Sequence, residues 1–137
     1  MDKSKVLDLL YELRKECTRS DEEYFSSLGI TQAEYNMFLC LRDCQHFNSY
    51  SVAERMQLSL SRISRIIDKM VNKKLLSRTT NKADRRAIDI TLSKKGQEIM
   101  SDIIEYRQKH EDKMIQNLNE QELADIKASL SKLISII

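Results

Sequence analysis

The apolar positions of the chain repeat with a helical period along most of its length and switch to a strand period only once. Between Lys3 and about Phe25, Val6, Leu10, Leu13 and Cys17 recur at steps of four, three and four, which places them on one face of an amphipathic helix that Gly29 ends. Thr31 and Glu34 then form a T-x-x-E capping box inside a hydrophobic staple of Ile30 and Tyr35, so a second helix starts there. It runs through Phe38, Leu39 and Leu41 to about Cys44, and the polar stretch Gln45 to Tyr50 breaks it. Ser51-Val52-Ala53-Glu54 is another capping box, opening a helix of about two turns before Gln57 and Leu58. Ser59 caps the next, whose Ile63, Ile66, Ile67, Met70 and Val71 make a buried stripe opposite Arg62, Arg65, Lys69 and Asn72. A short capped helix, a turn and a second helix with an apolar back and a basic front have the shape of a helix-turn-helix.

After Leu75 and Leu76 the period becomes two. Arg78-Thr79-Thr80 suits a strand, Asn81 to Arg86 a polar loop, and Ala87 to Leu92 a second strand of alternating character. The hairpin carries Lys82, Arg85 and Arg86 at its tip and makes the unit a winged helix with a basic wing. Ser93 caps a long helix with Ile99, Ile103, Tyr106, His110 and Met114 on one face, and Leu118 to Leu123 cap and staple a last helix bearing Leu123, Ile126, Leu130, Leu133, Ile134 and Ile137. These terminal stripes exceed what a small winged-helix core can cover and predict burial against a second subunit. The expected organisation is one domain over 1–137, mainly α with a small β-hairpin wing: dimerisation helices at 1–30 and 97–137, and a winged helix-turn-helix lobe at 31–96.

Composition narrows the chemistry. With two glycines, no proline and no tryptophan in 137 residues, a turn-dense β-sandwich is excluded, and Gly29 and Gly96 stand too far apart for a phosphate-cradling loop or a dinucleotide fingerprint. No apolar run approaches the ~20 residues of a membrane span and Met1 to Leu10 lacks a signal-peptide core, so a soluble cytoplasmic protein with no membrane association is expected. Net charge is +2, yet residues 51 to 96 carry 12 Lys/Arg against 4 Asp/Glu, whereas each flank is net −3. A basic block that coincides with the winged helix is the electrostatic footprint of a polyanion-binding lobe.

The chain resembles the multiple-antibiotic-resistance regulator (MarR) family of winged-helix transcription factors. The likeness is carried by Leu28 to Glu34, by Ser59-Leu60-Ser61-Arg62-Ile63-Ser64-Arg65-Ile66-Ile67-Asp68-Lys69-Met70, by Lys74-Leu75-Leu76-Ser77-Arg78, by Ala83-Asp84-Arg85-Arg86-Ala87 and by Leu92-Ser93-Lys94-Lys95-Gly96. The resemblance implies an obligate homodimer that sets two recognition helices into successive major grooves, and two wings into the flanking minor grooves, of a pseudo-palindromic double-stranded DNA operator. It also implies control by a small aromatic or lipophilic effector. Family members commonly carry a glycine where Lys74 stands, so the helix before the wing is expected to end without a left-handed glycine.

Candidate DNA contacts are Ser59, Ser61, Arg62, Ser64, Arg65 and Lys69 on the recognition helix, with Arg62 or Arg65 reading base edges and helix–helix packing as the alternative for Ser64. In the wing they are Lys82, Asp84, Arg85 and Arg86. By resemblance, Asp84 orients Arg86 into the minor groove, and Arg85 and Lys82 meet phosphates. Cys17, Cys40 and Cys44 raise the alternative of a redox- or electrophile-sensing regulator. Cys17 sits nearer the end of its helix than the sensing cysteine of such members, and reduced packing thiols are the preferred reading. Cys40, Cys44, His46 and His110 lack an established zinc spacing, so no metal or cofactor is expected. A Cys44–His46 nucleophile and base would lack an orienting third group, so no enzymatic activity is expected either. An effector pocket would draw on Leu13, Tyr24, Met37, Phe38 and Tyr106, residues that serve equally as core.

Overall fold

A computed structural model describes residues 5–42, 46–85 and 87–137. Six helices and three strands follow one another as α1 (Val6–Ser27), α2 (Gln32–Leu41), β1 (His46–Asn48), α3 (Ser49–Met56), α4 (Leu60–Asn72), β2 (Leu76–Thr80), β3 (Ile88–Leu92), α5 (Lys94–Gln116) and α6 (Glu120–Ile136). Met1–Ile99 and Met100–Ile137 form two compact units.

The helix starts obey side-chain chemistry. Thr31 Oγ1 accepts from the Glu34 N–H while Glu34 returns the bond to the Thr31 N–H, and Asn119 and Glu122 repeat that reciprocal box at α6. Ser59 Oγ accepts from the Arg62 N–H at the head of α4. Two boundaries differ from the sequence pattern. The cap of α3 is Asn48 rather than Ser51, and Asn48 Oδ1 accepts from the Ser51 N–H at 2.8 Å. Within the stretch expected only to break a helix, His46–Asn48 pairs antiparallel with Asp89–Thr91, which turns the expected hairpin into a three-stranded sheet of order β1-β3-β2.

Three helices end alike, although the chain has only two glycines. A left-handed residue at Gly29 (φ 72), Gln57 (φ 55) or Lys74 (φ 63) reverses the chain, and the next N–H reaches back to a carbonyl five residues earlier. At α4 the Lys74 N–H donates to Val71 O and the Leu75 N–H to Met70 O, both at 2.9 Å. The helix thus ends without a left-handed glycine, and the lysine adopts that conformation itself.

That ending leads into α5. Ser93 Oγ donates to Lys74 O at 2.6 Å and accepts from the Gly96 N–H at 3.0 Å, and the Ser93 N–H donates to Leu75 O at 3.0 Å. A Cβ on Gly96 would fall 2.1 Å from Leu75 O, so position 96 admits no side chain without a backbone shift.

The core of the first unit gathers Phe25, Tyr35, Met37, Phe38, Leu41, Val52, Ile63, Ile67, Met70, Leu75, Leu76 and Ile90. Each such side chain contributes roughly 1.5–3 kcal/mol by leaving water. In the second unit Met100 and Ile103 are buried, while α6 buries no residue.

Candidate nucleic-acid interface

The geometry of α4 follows from its stripe. Ile63, Ile66, Ile67 and Met70 are buried, so at about 100° per residue the opposite arc is centred on Ser61, Arg65, Asp68 and Asn72, all exposed. Arg62 and Lys69 lie on the Ile66 flank of that arc, and Ser64, half-buried, lies on the other. The N-terminal turn offers Ser59 and Ser61, whose hydroxyls stand 3.4 Å apart.

Arg62 borders a groove of about 770 Å³ that Arg42 and Arg55 also line, with Leu39, Leu58 and Ile66 as its apolar wall. Arg55 is held there: it donates to Cys40 O at 3.3 Å and stacks 5.1 Å from the centre of the Phe47 ring. Three guanidiniums on one side of the helix extend its positive surface toward α2 and α3. The acid on the exposed arc is neutralised, because Asp68 pairs with Arg78 at the start of the wing. Both partners are about half exposed, so the pair adds little stability, but it ties the helix to β2.

The wing is organised from its base. Asn81 Oδ1 accepts from the N–H groups of Ala83 (2.9 Å) and Asp84 (3.0 Å), and Asn81 Nδ2 donates to Asp89 Oδ1 at 3.0 Å. The Ala87 N–H donates to Asp84 O at 3.0 Å and closes the turn. Lys82, Asp84 and Arg85 are exposed at the tip. Arg86, expected to enter the minor groove, and Cys44 lie outside the described residues. Asn81 was not singled out from the sequence, although an asparagine at a strand end before a polar loop is the usual signal for such a turn.

The remaining candidates separate. Cys17 is exposed, and Cys40 is half-buried, where burial pushes its thiol up against the opposing pull of Arg55 and favours the unreactive protonated form. Met37 and Phe38, named for an effector pocket, are wholly buried core; Leu13 is exposed and Tyr24 half-buried. His110 stacks on Tyr106 with ring centres 4.3 Å apart. Among the described residues no group of three or more His, Cys, Asp or Glu is placed to hold a metal ion. Among the described residues no helix is long and apolar enough to cross a membrane.

A short helix and a second, basic-fronted helix closed by a β-hairpin define a winged helix-turn-helix protein. Residues 30–88, the segment that carries the winged helix, match the model of the MarR family. It is 27% identical over 111 residues to the HTH-type transcriptional regulator YsmB of Bacillus subtilis, covering 81% of this chain and 76% of that protein. It is also 27% identical over 113 residues to the HTH-type transcriptional repressor MdtR of the same organism, covering 80% and 73%. In fold it is similar to MepR of S. aureus, solved as a DNA complex (TM-score 0.82, 20% identity, 97% and 98% of the chains). The likeness extends to apo MarR from E. coli (TM-score 0.77, 22% identity, 97% and 98%).

Proposed function

We propose that this protein is a sequence-specific double-stranded DNA-binding transcriptional regulator, a non-enzymatic cytoplasmic repressor that acts as a homodimer on a pseudo-palindromic operator. The observation that carries this reading is the exposed arc of α4, where Ser61 and Arg65 face solvent beside Arg62 and Lys69, on a helix that Asp68 and Arg78 tie to the base of a wing with a basic tip. Guanidinium and hydroxyl groups on one exposed helix face suit base edges in a major groove, and Lys82 and Arg85 suit the adjoining backbone. The relatives lend support: MepR was captured on DNA, and MdtR is named a repressor. Dimerisation is supported by apolar side chains left in water, Val6 at 61% and Leu13 at 53% on α1 and Ile134 at 78% on α6. The groove beside Arg62 is suited to a small aromatic or lipophilic effector, with an apolar wall for its body and guanidiniums for a polar substituent.

Selection of genomic fragments by the purified protein tests this directly. The expected product is a palindromic motif, bound with an affinity that falls steeply between ~50 and ~200 mM salt. Arg65→Ala should lower operator affinity about tenfold or more, the size of a lost bidentate base contact, in a shift assay. Recovery of no motif, or binding indifferent to salt, overturns the reading.

A further inference from the structure

The charge of Lys73 is directed into the protein. Lys73 caps the C-terminal end of α4, and its Nζ donates to Glu34 Oε1 at 2.6 Å and to Gly29 O at 3.1 Å. Glu34 is 1% exposed against 38% for Lys73, and the same Oε1 accepts from the Thr31 N–H at 2.8 Å. One ammonium therefore gathers the end of α1, the cap of α2 and the last turn of α4, where Lys95 Nζ also reaches Lys73 O at 3.4 Å. Glu34 Oε2 is buried without a hydrogen-bond partner. A half-satisfied buried carboxylate is a poor device for stability, since well-packed apolar groups of the same shape commonly do as well. What a short, directional ion pair supplies is orientation.

Orientation matters at the far end of the helix. The thirteen residues of α4 span roughly 20 Å, so a tilt of about 5° at the clamped end moves the Ser61 end by close to 2 Å. Hydrogen bonds to base edges tolerate about 0.5 Å.

We propose that Lys73 and Glu34 are positioning residues for sequence readout: their ion pair fixes the tilt of α4 on the α1–α2 corner and so decides which base edges Arg65 and its neighbours reach. The proposal rests on the DNA-binding function above. It removes Lys73 from the phosphate contacts among which a charge count of residues 51 to 96 would place it.

Wild type, Glu34→Gln, Lys73→Met and the double variant are compared for binding to the selected operator and to a scrambled duplex across a salt series, with thermal melts alongside. Each single variant should lose about tenfold on the operator and nothing on the scrambled duplex, with the salt dependence of wild type, because contacts misalign while charges facing DNA stay in place. The double variant should lose no more than either single one, because both break the same pair. A Lys73→Met protein that weakens on both duplexes alike, with a salt slope reduced by about 1, marks Lys73 as a phosphate contact and overturns the proposal. So does a lowered Tm with an unchanged operator-to-scrambled ratio. If Glu34→Gln does not fold, Glu34→Asp, which keeps the charge and shortens the reach, is judged by the same ratio. Wild type that prefers no duplex overturns the DNA-binding function itself, a separate result.

Discussion

Two helices of similar length show how differently the chain uses its apolar residues. Helix α4 buries Ile63, Ile66, Ile67 and Met70 within a lobe whose caps, sheet and core enclose it. Helix α6 carries a comparable stripe and buries none of it; Ile126, Leu130 and Ile134 remain exposed. The apolar and polar residues are segregated far more sharply on α4 than on α6, yet both helices carry an apolar stripe, so a stripe by itself does not tell whether a helix finds its partner within its own chain. The stripe of α4 is covered within its own lobe, whereas that of α6 is left in water, where a helix of this length draws little stability from its cap alone.

That contrast can be broken from the lobe side first. Gly96→Ala places a Cβ against Leu75 O, a backbone atom that cannot rotate away, and should cost on the order of 3 kcal/mol, roughly 10 °C in Tm by calorimetry. A Tm within about 2 °C of wild type would show that the α4–α5 junction yields easily. Ile134→Asp on α6 should leave the lobe folded but convert dimer to monomer in sedimentation at micromolar concentration, because the side chain has almost no neighbours in its own chain. A dimer of unchanged affinity would place the subunit contact elsewhere. The smallest effect is a gain: Lys74→Gly relieves a left-handed lysine and should raise stability by about 0.5–1 kcal/mol in urea melts. A loss would mean that the lysine side chain supplies contacts outweighing its backbone strain.

Features encoded over a few residues were legible in the sequence. The caps at Thr31, Ser59 and Asn119 stand where their S/T/N-x-x-E or stripe patterns put them, and α4 has the buried face its spacing predicts. Features that depend on a partner far along the chain were not. His46-Phe47-Asn48 has no alternating pattern of its own and is a strand because β3 offers it a free edge. Asn48 and Ser51 are both good capping residues, and the pairing of Asn48 in β1 decides between them. Glu34 was read as half of a capping box, which it is, but its second role toward Lys73 spans 39 residues and leaves no local trace. The exposed basic candidates of α4 and the wing tip were readable because solvent-facing charge follows from the same stripe that defines the core.

The wing carries a consequence for how such proteins diverge. Its turn is secured by Asn81 from below, through Ala83, Asp84 and Asp89, so Lys82 and Arg85 hold no part of the turn together through those bonds. Substitutions at these two positions can therefore change what the hairpin touches at little cost to its shape. A lineage that keeps the asparagine can change the charge and reach of the tip one codon at a time, each intermediate still folded.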